Sequence, residues 1–279
     1  MPTMRQGLSR RQWLRTSSTT GALLSAGLNP LCDLLAADET RAAIASLNRM
    51  PRMMQEYLVR VVREIEEGSR RRLAKLQTKE QAEAHIADLR LKIDDCFGKF
   101  PDRTPLNPRI TGVVQRDDYR IEKVVFESRP RFLVTANLYI PRRAAFPAPG
   151  VIATCGHSAT GKAYESYQAF CQGLATKGYV VLVYDPIGQG ERSQYPKRTG
   201  TPPPPRIGVG EHLMVGNPQF LLGDFFGSWR AWDGIRALDY LLSREEVDSK
   251  RIGVTGNSGG GTMTTWLCAL DSRWSMAAP

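Results

Sequence analysis

Histidine is scarce in this chain, with three residues in 279, at positions 85, 157 and 212. None stands at ligand spacing to suitable partners, so no metal site is expected and few side chains remain for acid–base chemistry. The five cysteines (32, 96, 155, 171 and 268) include no C-x-x-C pair, which excludes a zinc ribbon or a thioredoxin-type motif. Long apolar runs are missing too, so a polytopic membrane protein is excluded and no stable membrane anchor is expected. What is present is ordinary: 42% hydrophobic and 24% charged residues supply a packed core and exclude wholesale disorder. The length fits one large domain, or one with an appendage.

The net charge of +10 raises the question of nucleic acid. Residues 1–80 hold fourteen Lys or Arg against eight Asp or Glu, more than half of the excess. Part of it is a leader-like segment and part a helix in which Arg70, Arg71 and Arg72 follow Glu64, Glu66 and Glu67. Such blocks form solvated helix faces, and no nucleic-acid motif accompanies them, so no nucleic-acid partner is expected.

The first 37 residues read as an address. Ser9-Arg10-Arg11-Gln12-Trp13-Leu14-Arg15 precedes a mildly apolar stretch ending at Ala36-Ala37. This resembles a twin-arginine signal, which implies export of a folded chain to the periplasm or beyond. Cleavage near Ala37 would remove Cys32 and leave four cysteines where a disulfide is permitted, with no rule for their pairing.

Residues 38–100 are expected to be helical. Met54, Leu58, Val61, Val62 and Ile65 trace one apolar stripe; Gly68-Ser69 reads as a break; Ala82, Ile86, Leu89, Ile93 and Phe97 trace a second, stopped at Gly98. These stripes suit packing on the main domain or on a second copy in a homo-oligomer. Met53, Met54 and His85 read as structural.

From residue 101 to 279 the pattern is that of an α/β domain. Three prolines make 101–108 an extended connector. Arg120–Glu127 and Phe132–Ile140 alternate with period two and predict an antiparallel hairpin. Val151–Cys155, Val180–Asp185 and Arg251–Gly256 are short β-branched runs of the kind buried on both faces of a sheet. Helical patterns over Tyr167–Lys177 and Ser228–Ser243 separate them. The order implies a mainly parallel sheet covered by helices.

The third run ends in Gly256-Asn257-Ser258-Gly259-Gly260-Gly261 and leads into a helical stretch, Thr262–Leu270. A G-x-S-x-G turn between strand and helix presents its serine above the sheet, beside a helix N-terminus whose N–H groups favour developing negative charge. No Lys follows at phosphate-loop spacing, which excludes that reading. Ser258 is therefore the candidate nucleophile, on an elbow built by Gly256, Asn257 and Gly260. The upstream segment Cys155-Gly156-His157-Ser158 closes the first buried run. His157 and Gly259 are expected to supply the oxyanion N–H donors, with Ser158 the alternate for His157. Gly156, Ser158 and Gln189 are expected to line the pocket. Cys155 has no elbow and is not expected to act as nucleophile. The long segment from Pro202 to about Gly227 reads as a cap.

These motifs, in this order, make the chain resemble the α/β-hydrolases, in particular the exported acetylxylan-esterase and dienelactone-hydrolase-like branch. The likeness spans about Thr104 to Pro279. It implies ester hydrolysis through an acyl-serine, a small-molecule or carbohydrate ester as substrate, and no cofactor. The superfamily order is Ser, acid, His. Twenty-one residues follow Ser258, with one acid, Asp271, too early for the usual position, and no histidine. The expectation is therefore a fold lacking its last strands, with at most trace activity by itself. The alternatives are a prolyl-oligopeptidase-like serine peptidase and a non-catalytic exported scaffold.

Overall fold

A computed structural model describes residues 52–195 and 207–279. The twin-arginine-like segment, its cleavage site, Cys32 and Pro202–Pro205 lie outside them. The chain divides into two units, one ending at Thr78 and one running from Lys79 to Pro279.

In the first unit, helix α1 spans Met53–Leu73. The expected break at Gly68-Ser69 does not occur. One interior glycine costs a helix only about 1 kcal/mol relative to alanine. Two i,i+4 pairs, Glu66–Arg70 at 2.7 Å and Glu67–Arg71 at 3.8 Å, reach across it. The helix ends at Leu73 instead.

The second unit opens with α2, Lys79–Phe97, which stops where Gly98 takes a φ of +71°. Seven strands follow: β1 Arg109–Gln115, β2 Tyr119–Arg129, β3 Phe132–Pro141, β4 Ala148–Thr154, β5 Val180–Tyr184, β6 Val247–Gly256 and β7 Met276–Ala278. They make one sheet in the order β1-β2-β3-β5-β4-β6-β7. Three pairings are antiparallel, β1 with β2, β2 with β3 and β3 with β5. Three are parallel, joining β4 to β5, β4 to β6 and β6 to β7. The sheet is thus mixed, with a larger antiparallel part than its sequence suggests. The added edge strand β1 is largely exposed and offers little alternation to read.

Helices cover both faces. On one, α3 (Glu165–Thr176) packs Cys171 and Ala175 against Tyr139, Val151, Val181 and Val183. On the other, α5 (Phe226–Leu242) and α6 (Gly259–Leu270) lay Trp232, Leu238, Met263 and Leu267 over Phe126, Leu138, Ile152 and Leu182. Phe97 of α2 closes that core edge-on to Trp266 at 5.1 Å. A further helix, α4, spans Val209–Leu221. Among the described residues no helix is long and apolar enough to cross a membrane.

Register is what positions the site. Thr154 of β4 lies opposite Tyr184 of β5 and Gly256 of β6. The three central parallel strands therefore end in one row. Segments 155–163, 185–192 and 257–259 leave the same edge of the sheet, where ligand crevices of α/β sheets form.

Candidate active site

Gly256 and Gly260 are glycines because β4 passes too close for anything else. A Cβ on Gly256 would lie 2.2 Å from Thr154 Oγ1, and one on Gly260 would lie 2.1 Å from Thr154 O. The obstacle is the neighbouring strand as much as the turn itself. Thr154 is the lashing: its Oγ1 lies 2.8 Å from Gly260 O and 2.9 Å from Thr264 Oγ1. Between the glycines Ser258 takes φ +53° and ψ −124°, a strained conformation for a residue with a side chain. It immediately precedes α6, so the Gly259 N–H heads that helix and has no intrahelical acceptor.

The segment after β4 comes within contact of this elbow. A Cβ on Gly156 would sit 3.1 Å from Ser258 Cβ, and one on Gly259 would sit 2.9 Å from the ring of His157. Two side chains hold the segment. Tyr167 Oη accepts the Gly156 N–H at 2.7 Å and donates to Asn257 Oδ1 at 3.3 Å. From behind, Gln189 Nε2 donates to Gly156 O and Ser158 O, each at 2.8 Å. Since C=O and N–H point oppositely across a trans peptide, anchoring Gly156 O turns the His157 N–H away from Gln189. Gln189 is fully buried. It braces the segment by hydrogen bonds and does not present its side chain as an open pocket wall.

Deeper down, Asp185 ties the two segments together. Its buried carboxylate accepts from Thr135 Oγ1 at 2.7 Å, from the Lys162 N–H at 2.8 Å and from the Lys162 ammonium. Arg192 bonds the Asp185 carbonyl at 2.9 Å and the Asp233 carboxylate at 2.7 Å, both within the interior.

His157 meets His212 of α4, Nε2 to Nδ1 at 3.1 Å, while His212 Nε2 lies 2.7 Å from Ile187 O. A carbonyl only accepts, so His212 carries its proton on Nε2, and its Nδ1 accepts a hydrogen bond from the His157 Nε2–H. That assignment leaves His157 Nδ1 as a free acceptor beside Gly259. Burial, then the charge of Arg230, lowers the pKa of both rings, and that of His212 falls to about 4. The pair is neutral at pH 7. Burial pushes the Cys155 thiol well up, which keeps it a thiol. Asp271 pairs with Arg273 at 2.6 Å and serves the end of α6.

The structure thus brings Gly156, His157, Ser158, Gln189, Gly256, Asn257, Ser258, Gly259 and Gly260 into one neighbourhood. Beside the elbow, Tyr164, Ser166, Tyr167, Phe170 and Asn257 line a cleft of about 480 Å³. The sequence reading did not single out Tyr167 or Arg230, nor His212 as a partner of His157. Tyr167 and Arg230 sit in helical stretches with no motif of their own.

A serine raised on a strand-to-helix turn, at the carboxyl edge of a sheet with helices on both faces, defines the α/β-hydrolase class. Residues 113–279 match the family model for acetyl xylan esterase (AXE1), and the chain belongs to that family. It is 26% identical over 197 residues to YtaP of Bacillus subtilis, covering 67% of this chain and 61% of that protein. Among solved structures, methylesterase BT1017 aligns with a TM-score of 0.56 and 28% identity, over 73% of this chain and 42% of that one. A Bacteroides fragilis protein solved as a candidate acetyl xylan esterase gives a TM-score of 0.59 at 20% identity, over 71% and 53%. The chain therefore spans roughly half the length of these relatives.

Proposed function

We propose that this chain carries the nucleophile of an exported serine esterase acting on a carbohydrate or small-molecule ester. Ser258 Oγ attacks the ester carbonyl carbon, and its proton passes to the alkoxide oxygen of the leaving group. The resulting oxyanion is held by the N–H groups of His157 and Gly259, the alcohol leaves with a proton, and water then releases the acid from the acyl-serine. The carrying observation is the approach of the Gly156–His157 peptide to the strained Ser258, with Gly156 O secured from the opposite side by Gln189. Membership of the acetyl xylan esterase family supports an O-acetyl ester as substrate. The twin-arginine-like leader supports export. The peptidase alternative has narrower support, a 31% identity to the Bacillus subtilis protein YuxL over 38% of this chain and 13% of that one.

Fluorophosphonate labelling followed by peptide mass spectrometry tests the assignment. A single adduct on Ser258, absent from Ser258→Ala, is expected. An unlabelled chain, or an adduct on another residue, overturns it.

A further inference from the structure

Helix α4 is built inside out. Its acid and its histidine face the protein. The fully buried carboxylate of Glu211 accepts from Ser193 Oγ and the Gln194 N–H, each at 2.7 Å. His212 lies against His157 at 3.1 Å and Ile187 O at 2.7 Å. The large apolar side chains point the other way. Val209, Leu213 and Phe220 stand four and seven residues apart and form one row down the helix. Met214 and Leu221 make a second row alongside, continued by Leu222. Each of the six is more than half exposed, Leu221 at 89% and Leu222 at 82%. Gly210 and Asn217 lie between the rows, so the face carries no charge from end to end. A helix whose outer face meets only water has the reverse arrangement.

The six side chains bare on the order of 600 Å², the upper limit of the apolar patches that monomers expose. The preceding segment, 196–206, holds five prolines, Lys197, Arg198, Arg206, two threonines and a glycine, with no large apolar side chain to lay over the face. A lipid surface is met by an apolar face flanked by lysine and arginine. Helix α4 has neither, and the first charge beyond Leu222 is an acid, Asp224. A second copy of the same face fits better. Two uncharged faces bring no like charges together, and between them they would bury on the order of 1,200 Å², the size at which specific interfaces begin.

We propose that the outer face of α4 is the contact surface for a second copy of this chain, the two helices packing face to face about a twofold axis. Since His212 on the inner side holds His157, the pairing falls on the helix that borders the oxyanion segment. Whether Ser258 is the nucleophile has no bearing on it.

Sedimentation velocity of the whole chain across the micromolar range is the test. A mass twice that of one chain is expected. Leu213→Glu and Leu221→Glu are each expected to weaken pairing about thirtyfold or more, because the new carboxylate is stranded in the interface without a partner. Leu58→Glu, on the exposed stripe of α1, is expected to pair as the parent does. Each of these positions is exposed in the single chain, so the variants should fold, which thermal melts check; should one α4 variant fail to fold, the other carries the test. A parent that stays monomeric overturns the proposal, and if that monomer co-sediments with phosphatidylcholine vesicles a lipid surface takes its place. A dimer that survives either folded α4 variant, or that Leu58→Glu also dissociates, overturns it and moves the contact elsewhere.

Discussion

Gln189 and Gly156, thirty-three positions apart in the chain, are joined by a buried hydrogen bond of 2.8 Å from the Gln189 side-chain amide to the Gly156 carbonyl. The bond runs behind the peptide whose N–H is assigned to the oxyanion, so it orients that donor before any substrate arrives. Preorganised donors of this kind carry much of the catalysis in acyl transfer.

Gln189→Leu is expected to leave Gly156 O and Ser158 O without their donor. The stability loss should be about 1–3 kcal/mol, read by chemical denaturation. Fluorophosphonate acylation of Ser258 should slow by about tenfold or more, with little change in the probe's initial binding. Acylation at the parent rate in a destabilised variant would make Gln189 purely structural.

Gly260→Ala places a methyl carbon 2.1 Å from Thr154 O, which is backbone and cannot swing aside. A loss of about 1–3 kcal/mol or more is expected, together with loss of Ser258 labelling. Gly173→Ala in α3 is the control, because nothing lies within 4 Å of its added carbon. There the substitution should stabilise by about 0.5–1 kcal/mol. Equal melting shifts for the two variants would contradict the close approach of β4.

Asp233→Asn removes the anion facing Arg192, both being almost fully buried. A charge stranded in the interior typically costs about 3–5 kcal/mol. Denaturant unfolding should show a loss of that order, and a loss below about 1 kcal/mol would place water around the pair.

The His157–His212 contact predicts a pH dependence. His212 titrates at about 4 in the fold against an ordinary 6.5, through burial first and Arg230 second. Between those values the unfolded chain binds more protons than the folded one, so stability falls as pH drops through this window. Melting curves from pH 7 to pH 4 should show that decline, and His212→Gln should flatten it. An unchanged profile in the variant would assign the decline to other groups.

Much of the fold can be read locally. The three β-branched runs become β4, β5 and β6 because continuous apolar segments of that length are stable only inside a sheet covered on both faces. The glycines around Ser258 mark a strand-to-helix turn before any coordinate is known. Gly68-Ser69 misleads for an equally local reason: one interior glycine carries only a modest helix penalty, which salt bridges reaching across it partly offset. Strand β1 is hard to read in the sequence because its largely exposed edge carries little alternation.

Sequence by itself determined the β-α-β succession, the elbow and the serine on it, since these depend on period, composition and backbone freedom over a few residues. Only the tertiary structure decided that Thr154, Tyr184 and Gly256 end in one row, that Gln189 braces Gly156 and that His212 meets His157. Those are contacts between residues far apart in the chain. They arise from strand register and helix packing, which no short stretch of sequence encodes.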